Sequence, residues 1–517
     1  MLIRFSTSFR PPRFRRIHLS LFLLPLACLL LPIAAGAQVT FNGVKGQQSV
    51  SFGSHAIGSP SATISLPFTI ASKVSTTVGS IGVLTTGIAG KDFAAVKGST
   101  SCAATTYAAA TDCVVNVSFK PLAAGLRLGA VVFYSGASKT SAVLATALIY
   151  GFGIGPQAAF GPSGAKTRVG SGFIYPAGVA VDVAGDVFVT DLDMQEVFKV
   201  TPTGTKTTVG SDLEVPEAVA VDGAGNVYIA DSEAAQVFKV TQGGAQTTVG
   251  TGFSYPNGIA VDGPGNVYVS DPFIDEVVKI TPGGKQSTVG SGYNTPTAVA
   301  VDWEGNVYVA DTFNQAVFKV TPGGTQTTVG KNLVSPAAVA VDAARDVYII
   351  DDGTEALYEV TPGGTQTTVS SDLDTPDGVA VDWAGNLYVA NSYSEDVLKI
   401  DRADAPSLHF DSTHVGSKSA DSPKTVKVDN IGNSPLTFSA VSYPADFPMA
   451  FAEGNCTSST LLDSASTCAL TINFKPVTSL GSKTSVTLTE AVKFTTNTLN
   501  VPNTTKEVVV LGTETAK

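Results

Sequence analysis

Histidine is scarce in this chain. Four occur in 517 residues, at His18, His55, His409 and His414, and none lies between positions 166 and 400. The central stretch therefore has no histidine-built metal site, no imidazole general base and no serine–histidine hydrolase site. Cysteine is also sparse: Cys28 stands alone near the start, and two close pairs follow, Cys102/Cys113 and Cys456/Cys468. Acid is missing from the first 37 residues, which carry Arg4, Arg10, Arg13, Arg15 and Arg16. Beyond them no apolar run is long enough to span a membrane.

Those first residues read as a secretory leader. An apolar stretch at 19–33 follows the arginines, and Ala35-Gly36-Ala37 offers small residues for cleavage before Gln38. The alternative of a retained anchor is opposed by the short span and by Pro25 and Pro32. Lipoprotein attachment at Cys28 is opposed by Pro25, which stands where a lipobox wants leucine. Secretion to the periplasm, cell surface or exterior is the expectation. It suits two disulfides, Cys102–Cys113 and Cys456–Cys468, each closing a short loop for about 3 kcal/mol in the chain-entropy account. A metal at either pair lacks further histidine or cysteine ligands nearby.

The middle of the chain holds a 40-residue unit repeated six times without insertion or deletion. Each opens on a proline: Pro176, Pro216, Pro256, Pro296, Pro336 and Pro376. An aspartate follows six residues later, from Asp182 to Asp382. A second set follows nine beyond that: Asp191, Asp231, Asp271, Asp311, Asp351 and then Asn391. A fixed period means one stacked supersecondary unit. The fourth unit shows four short runs rich in Val, Tyr, Phe and Thr, at 298–301, 307–310, 316–320 and 326–329, bounded by turn residues. DWEGN makes one hairpin, with Gly305 free to take positive φ and Asp302 placed to accept turn amides. TPGG makes another. Arg345, in place of that glycine in the fifth unit, is expected to strain its hairpin.

Four antiparallel strands in each of six units predict a six-bladed β-propeller. The last unit has three strands. The run at 166–169 matches TQTTV in register and is expected to complete it, closing the ring and removing open edges. On the third strands, Phe198, Phe238 and Phe318 should pack between blades, with Lys199, Lys239 and Lys319 in solvent.

The PxGVAVDxxGNVYVAD core resembles the NHL repeat family over about 166–400, and the family implies the same propeller. One departure is the absence of the arginine usual after the second aspartate, Asn314–Gln315 being the nearest match. The flanks resemble each other: CVVNVSFKP (113–121) parallels CALTINFKP (468–476), and each follows an Asp-Phe, Asp92-Phe93 or Asp446-Phe447. Both have immunoglobulin-like size and strand patterning. The second resembles the choice-of-anchor D domain, related to abnormal-spindle/hydin-type Ig-like domains, which implies spacer, adhesion or assembly roles. The expected order is all-β: leader 1–37, Ig-like domain 38–155, six-bladed NHL-type propeller 156–402, and Ig-like choice-of-anchor D domain 403–517.

The formal charge is −11. Loss of the five leader arginines takes it to −16. The loops at one end of the propeller carry Asp193, Asp212, Glu214, Glu233, Asp275, Asp352, Glu355, Asp372, Asp374 and Glu395, with Lys331 almost alone among bases. This acidic face argues against nucleic acid and anionic membrane as partners. It serves either solubility or the docking of cations or a basic partner. Aromatic residues interleave there and either stack on sugars or peptides or pack loop against loop. The candidate face comprises Tyr175, Glu217, Tyr255, Asn257, Phe273, Tyr293, Phe313, Asp377 and Tyr393.

The set Asp191, Asp231, Asp271, Asp311, Asp351 and Asn391 offers oxygen ligands suited to Ca²⁺. A residue repeated in every unit is more economically a loop-capping acceptor, and no cofactor is expected. The DxxGN turns resemble a fragment of a calcium loop but lack its terminal glutamate. The expected function is secreted, non-catalytic binding of an extracellular protein or glycan through the propeller face. The alternatives are a carboxylate–metal lyase or lactonase, or a structural surface component.

Overall fold

The computed structural model describes residues 39–43, 49–71, 75–161, 166–477 and 483–516. The expected leader at 1–37, with Cys28 and the cleavage point before Gln38, lies outside them. The described chain is all-β, apart from two single-turn helices at Asp352–Thr354 and Thr498–Asn500.

Each of the first five 40-residue repeats forms a four-stranded antiparallel sheet, and the sixth supplies three strands of another. In the fourth these strands are Pro296–Val301, Val307–Asp311, Ala316–Val320 and Gln326–Val329, within two residues of the expected runs. The DxxGN hairpin is held by its first aspartate. Asp302 Oδ1 accepts the amides of Glu304 and Asn306 at 2.9 Å, and Oδ2 accepts Asn306 Nδ2 at 2.7 Å and the Tyr308 hydroxyl at 3.1 Å. The tyrosine of GNVY thus gives the buried carboxylate a partner that turn chemistry alone does not supply. Arg345 takes φ 69°, and the two backbone bonds of its hairpin lengthen to 3.2 Å from 3.0 Å in the fourth repeat. Its guanidinium pairs with Glu304 of the neighbouring sheet at 2.8 Å and lies over Trp303, contacts that offset the strained turn.

Inner strands of successive sheets touch, and the last, Pro376–Val381, touches the first, Pro176–Val181. The sheets therefore close into a propeller-type ring. Lys166–Arg168 pairs antiparallel with Asp396–Ile400 and completes the sixth sheet from before the first repeat. The core lies between neighbouring sheets: Phe188 and Val197 of the first pack on Leu213, Ile229 and Val240 of the second. The third-strand lysines depart from expectation. They lie half-buried over second-strand rings, Lys239 at 5.2 Å from the Tyr228 centroid and Lys279 at 5.1 Å from Tyr268. Lys199 pairs with Asp186 at 2.6 Å. The ring faces and turn carboxylates attract the ammonium more strongly than an extended, solvated stem would allow.

Each flank packs one sheet against another. The N-terminal one sets Val39–Phe41, Ile64–Ile70, Thr111–Phe119 and Phe93–Ala95 against a five-stranded sheet that includes Gly125–Tyr134 and Val143–Ile154. Both disulfides form as expected, with Cα–Cα distances of 4.9 and 5.1 Å.

The C-terminal unit is interrupted. Ala158–Gly161, expected within the propeller, instead pairs with Lys424–Asn430. Its register matches that of Val39–Phe41 in the N-terminal unit. Phe41 faces Phe68, which faces Cys113; Phe160 faces Val428, which faces Cys468. Ala158–Gly161 is thus the C-terminal unit's own first strand, and the repeat ring is inserted between it and the next, Leu408–His414.

The flanks cover the DxxGN end of the ring. Val183 N donates to Thr86 Oγ1 at 3.0 Å, Gln242 Nε2 donates to the Gly87 carbonyl at 3.1 Å, and Phe152 packs on Trp303. Gln157 donates to the Trp383 carbonyl, and Ile431 sits against Gly385. Between flanks and ring lies a cavity of about 240 Å³, lined by inner-strand ends such as Val181, Val301 and Val341. Gly223 marks a point of close approach: a Cβ there would stand 2.3 Å from the Gly129 carbonyl oxygen. Gly223→Ala is expected to cost about 1–3 kcal/mol by overpacking. Urea melts of the variant would measure it, and an unchanged midpoint would show that this contact is slack.

Candidate functional site

With the DxxGN end covered, the opposite end carries the open mouth of the ring. Inner strands begin there, so the residue after each opening proline stands at the rim: Ala177, Glu217, Asn257, Thr297, Ala337 and Asp377. Diagonal to these, one place beyond the residue opposite the proline, is the residue after the second aspartate or asparagine. Every second sheet makes a polar pair. Ser232 donates to Glu217 Oε1 at 2.9 Å, Thr297 and Thr312 hydroxyls lie 2.9 Å apart, and Ser392 donates to Asp377. Tyrosines from the next entering loop complete two of the three positions. Tyr255 donates to Glu217 Oε1 at 2.9 Å, and Tyr175 donates to Asp377.

Burial, with the charges of Asp377 and Asp231 added, pushes Glu217 up to about 7 against the opposing hydrogen bonds of Tyr255 and Ser232. Burial also lifts Asp377 to about 6. Tyr255 is pushed up to about 12 by burial and by Glu217, and Tyr175 higher still by burial and by Asp377. Neither carboxylate takes part in a salt bridge among the described residues. The mouth is a pair of acid–tyrosine–serine sets whose charge nothing among these residues neutralises.

Because the folded pKa of Glu217 is raised, the native state favours its protonated form. That stabilisation is full below about 4.5 and is lost as pH rises through about 7. Glu217→Gln is therefore expected to raise the melting temperature at pH 8 and leave it nearly unchanged at pH 4. Equal shifts at both pH values would contradict this assignment.

The second-strand set behaves differently. Asp191, Asp231, Asp271, Asp311 and Asp351 are fully buried, and each accepts amides of the loop entering its own sheet. Asp191 takes Ile174 N and Tyr175 N at 2.8 and 3.1 Å; Asp231 takes Glu214 N and Val215 N at 2.9 Å. Ser254 N reaches Asp271 at 2.7 Å, Asn294 N reaches Asp311 at 2.9 Å, and Val334 N reaches Asp351 at 2.8 Å. Asn391 Oδ1 accepts Asp374 N at 2.6 Å. The geometry is that of loop caps in separate sheets. Among the described residues no cluster of three or more His, Cys, Asp or Glu is placed to hold a metal.

The aromatic residues of these loops divide. Tyr293 is buried, its hydroxyl bound to the Val289 carbonyl at 3.0 Å, and Phe173 and Phe253 are buried with it between loops and strands. Phe273 is 78% exposed, Phe313 58% and Tyr393 77%. Ser232 and Ser392 escape sequence reasoning. Their signal is a spacing of fifteen from Glu217 and Asp377, shared by Thr297 and Thr312 and visible only when alternate repeats are compared.

No protein-family profile matches the chain, and no curated protein matches it. Solved structures similar to it include a streptogramin B lyase, at 12% identity over 47% of this chain and 98% of that one, TM-score 0.39. A gluconolactonase of Xanthomonas campestris is similar at 13% identity over 46% of this chain and 89% of that one, TM-score 0.42. A Bacteroides thetaiotaomicron protein of unknown function is similar at 14% over 71% and 99%, TM-score 0.40. Likenesses at this level carry nothing about chemistry.

Proposed function

We propose that the ring is a six-bladed NHL-type propeller, held between Ig-like units of which the second is of choice-of-anchor D type. The chain then acts as a secreted, non-catalytic binding protein at or outside the cell surface. Its recognition face is the open end of the ring. One observation carries this reading: the flanks cover the DxxGN end, while exposed Phe273, Phe313 and Tyr393 crown the opposite one. Large rings left in water on a rigid scaffold are the raw material of an interface. The central stretch lacks histidine, which removes the commonest catalytic base from this end.

The test is capture from an envelope and culture-fluid fraction by immobilised protein, run beside a Phe273→Ser/Phe313→Ser/Tyr393→Ser variant. A partner retained by the native protein and lost by the variant supports the reading. Capture that survives in the variant would move recognition to the flanks and overturn it.

A further inference from the structure

The open face is not uniform around the ring, and its unevenness describes a partner. In the third and fourth sheets the loop joining the second and third strands presents Phe273, Ile274 and Phe313, all exposed; the entry loop of the fifth adds Val334, 48% exposed. At the places equivalent to Phe273 and Phe313, the first and second sheets carry Asp193 and Glu233, in register with them, and the second sheet's entry loop adds exposed Glu214. Exposed apolar side chains are thus concentrated on the third to fifth sheets and acids on the sixth, first and second, although Asp275 and Glu276 adjoin Phe273 and exposed Ile174 and Tyr393 stand on the acidic half. The un-neutralised carboxylates of Glu217 and Asp377 lie at the mouth toward the acidic side, in the second and sixth sheets. Lys331 is the one base on the described loops of this face.

Resting on the binding role proposed above, we infer that this face takes a cationic, amphipathic polypeptide segment. Its aromatic or aliphatic side chains lie on Phe273, Ile274 and Phe313, and its lysine or arginine side chains reach the acidic half and the mouth. Charge complementarity selects this occupant. An anionic segment would meet an acidic half whose nearby bases are few and already engaged, Lys166 with Asp372, Arg168 with Asp396 and Lys206 with the Gly172 carbonyl. A neutral glycan would leave the carboxylates without counter-charge. An anionic bilayer would be repelled as a whole.

Selection from a random dodecapeptide library on the native protein tests this and requires no identified partner. Counter-selection is made on Phe273→Ser/Phe313→Ser, whose changed residues are exposed and leave the core untouched. Enriched peptides are expected to combine Lys or Arg with Trp, Phe or Leu. Binding of one such peptide, read by fluorescence anisotropy, should weaken at least about tenfold on Phe273→Ser/Phe313→Ser, the scale of losing an aromatic anchor. It should also weaken with rising salt and on Glu217→Gln/Asp377→Asn. Enriched peptides that are neutral or acidic, or no enrichment at all, would overturn the inference. So would equal binding by a polylysine control, which would mean charge alone. A glycan array run on the same two proteins separates the levels of the argument. Glycans held by the native protein and lost by Phe273→Ser/Phe313→Ser would end this inference while leaving the binding face standing. If neither peptides nor glycans depend on those rings, both readings fail.

Discussion

Arg402→Met should cost about 3–5 kcal/mol of stability, because it leaves buried carboxylates without their cation. The side chain of Arg402 is fully buried just beyond the last repeat strand. Its guanidinium reaches Glu359 at 3.0 Å, Asp429 at 2.9 Å and the Tyr348 hydroxyl at 2.8 Å, and lies 5.5 Å from the Tyr348 ring centroid. The repeat explains why it is there. Lys199, Lys239, Lys279, Lys319 and Lys399 occupy one position of the third strand, and in the fifth repeat that position is Glu359. Arg402 fills the missing cation's place over Tyr348, as Lys239 does over Tyr228, and at the same time ties the ring to Asp429 of the C-terminal unit. Burial, then the charge of Glu359, raises Asp342; burial, Asp342 and Glu359 raise Asp346, while Arg402 opposes both shifts. A double-mutant cycle makes the claim specific. Adding Glu359→Lys to Arg402→Met should recover part of the loss by restoring the repeat's own lysine, whereas Glu359→Lys alone should destabilise by setting two cations together. Additive losses in the urea melts would refute the exchange of roles.

Phe160→Ala should cost a further large amount, about 3–5 kcal/mol, and the damage should appear far away in sequence. Phe160 is fully buried in the core formed by Val426, Val428, Phe438, Leu470, Val492 and Phe494, all of which lie beyond the repeats. Its amide donates to the Arg402 carbonyl at 2.8 Å, where the chain leaves the ring. Amide hydrogen exchange should therefore speed up across Lys424–Asn430 and Thr467–Ile472 while the N-terminal unit keeps its protection. Faster exchange confined to the ring would show that the strand serves only as a linker. For the same reason a chain beginning at Lys166 should not fold its C-terminal unit, although it keeps every residue after position 402.

These two cases separate what is local from what is not. The strands of each repeat, its DxxGN hairpin and the strand at Lys166–Arg168 that completes the sixth sheet are readable because each follows from spacing and turn chemistry within one period. The disulfides are readable because each closes a short loop between two near cysteines. The lysines break the alternation rule, because their attraction to Tyr228 or Tyr268 comes from strand pairing across the sheet. The strand at Ala158–Gly161 belongs to the C-terminal unit and not, as its position in the chain suggests, to the propeller. Four small or aromatic residues carry no mark of which sheet they join, and the partner strand begins only at Lys424. The mouth is half legible: Glu217, Tyr255, Tyr175 and Asp377 stand out in the sequence, but their pairing needs the ring to bring neighbouring sheets together.

Sequence by itself determined that the chain is all-β, that six equal units stack, that their ends can close, and that charge on one set of loops is acidic. Tertiary structure decided which end of the ring is covered, which aromatic rings remain in water, where the C-terminal unit begins, and why Glu359 stands where a lysine repeats. The division has one physical cause. Period and turn propensity act over a few bonds, whereas burial and the pairing of charges depend on residues brought together from distant parts of the chain.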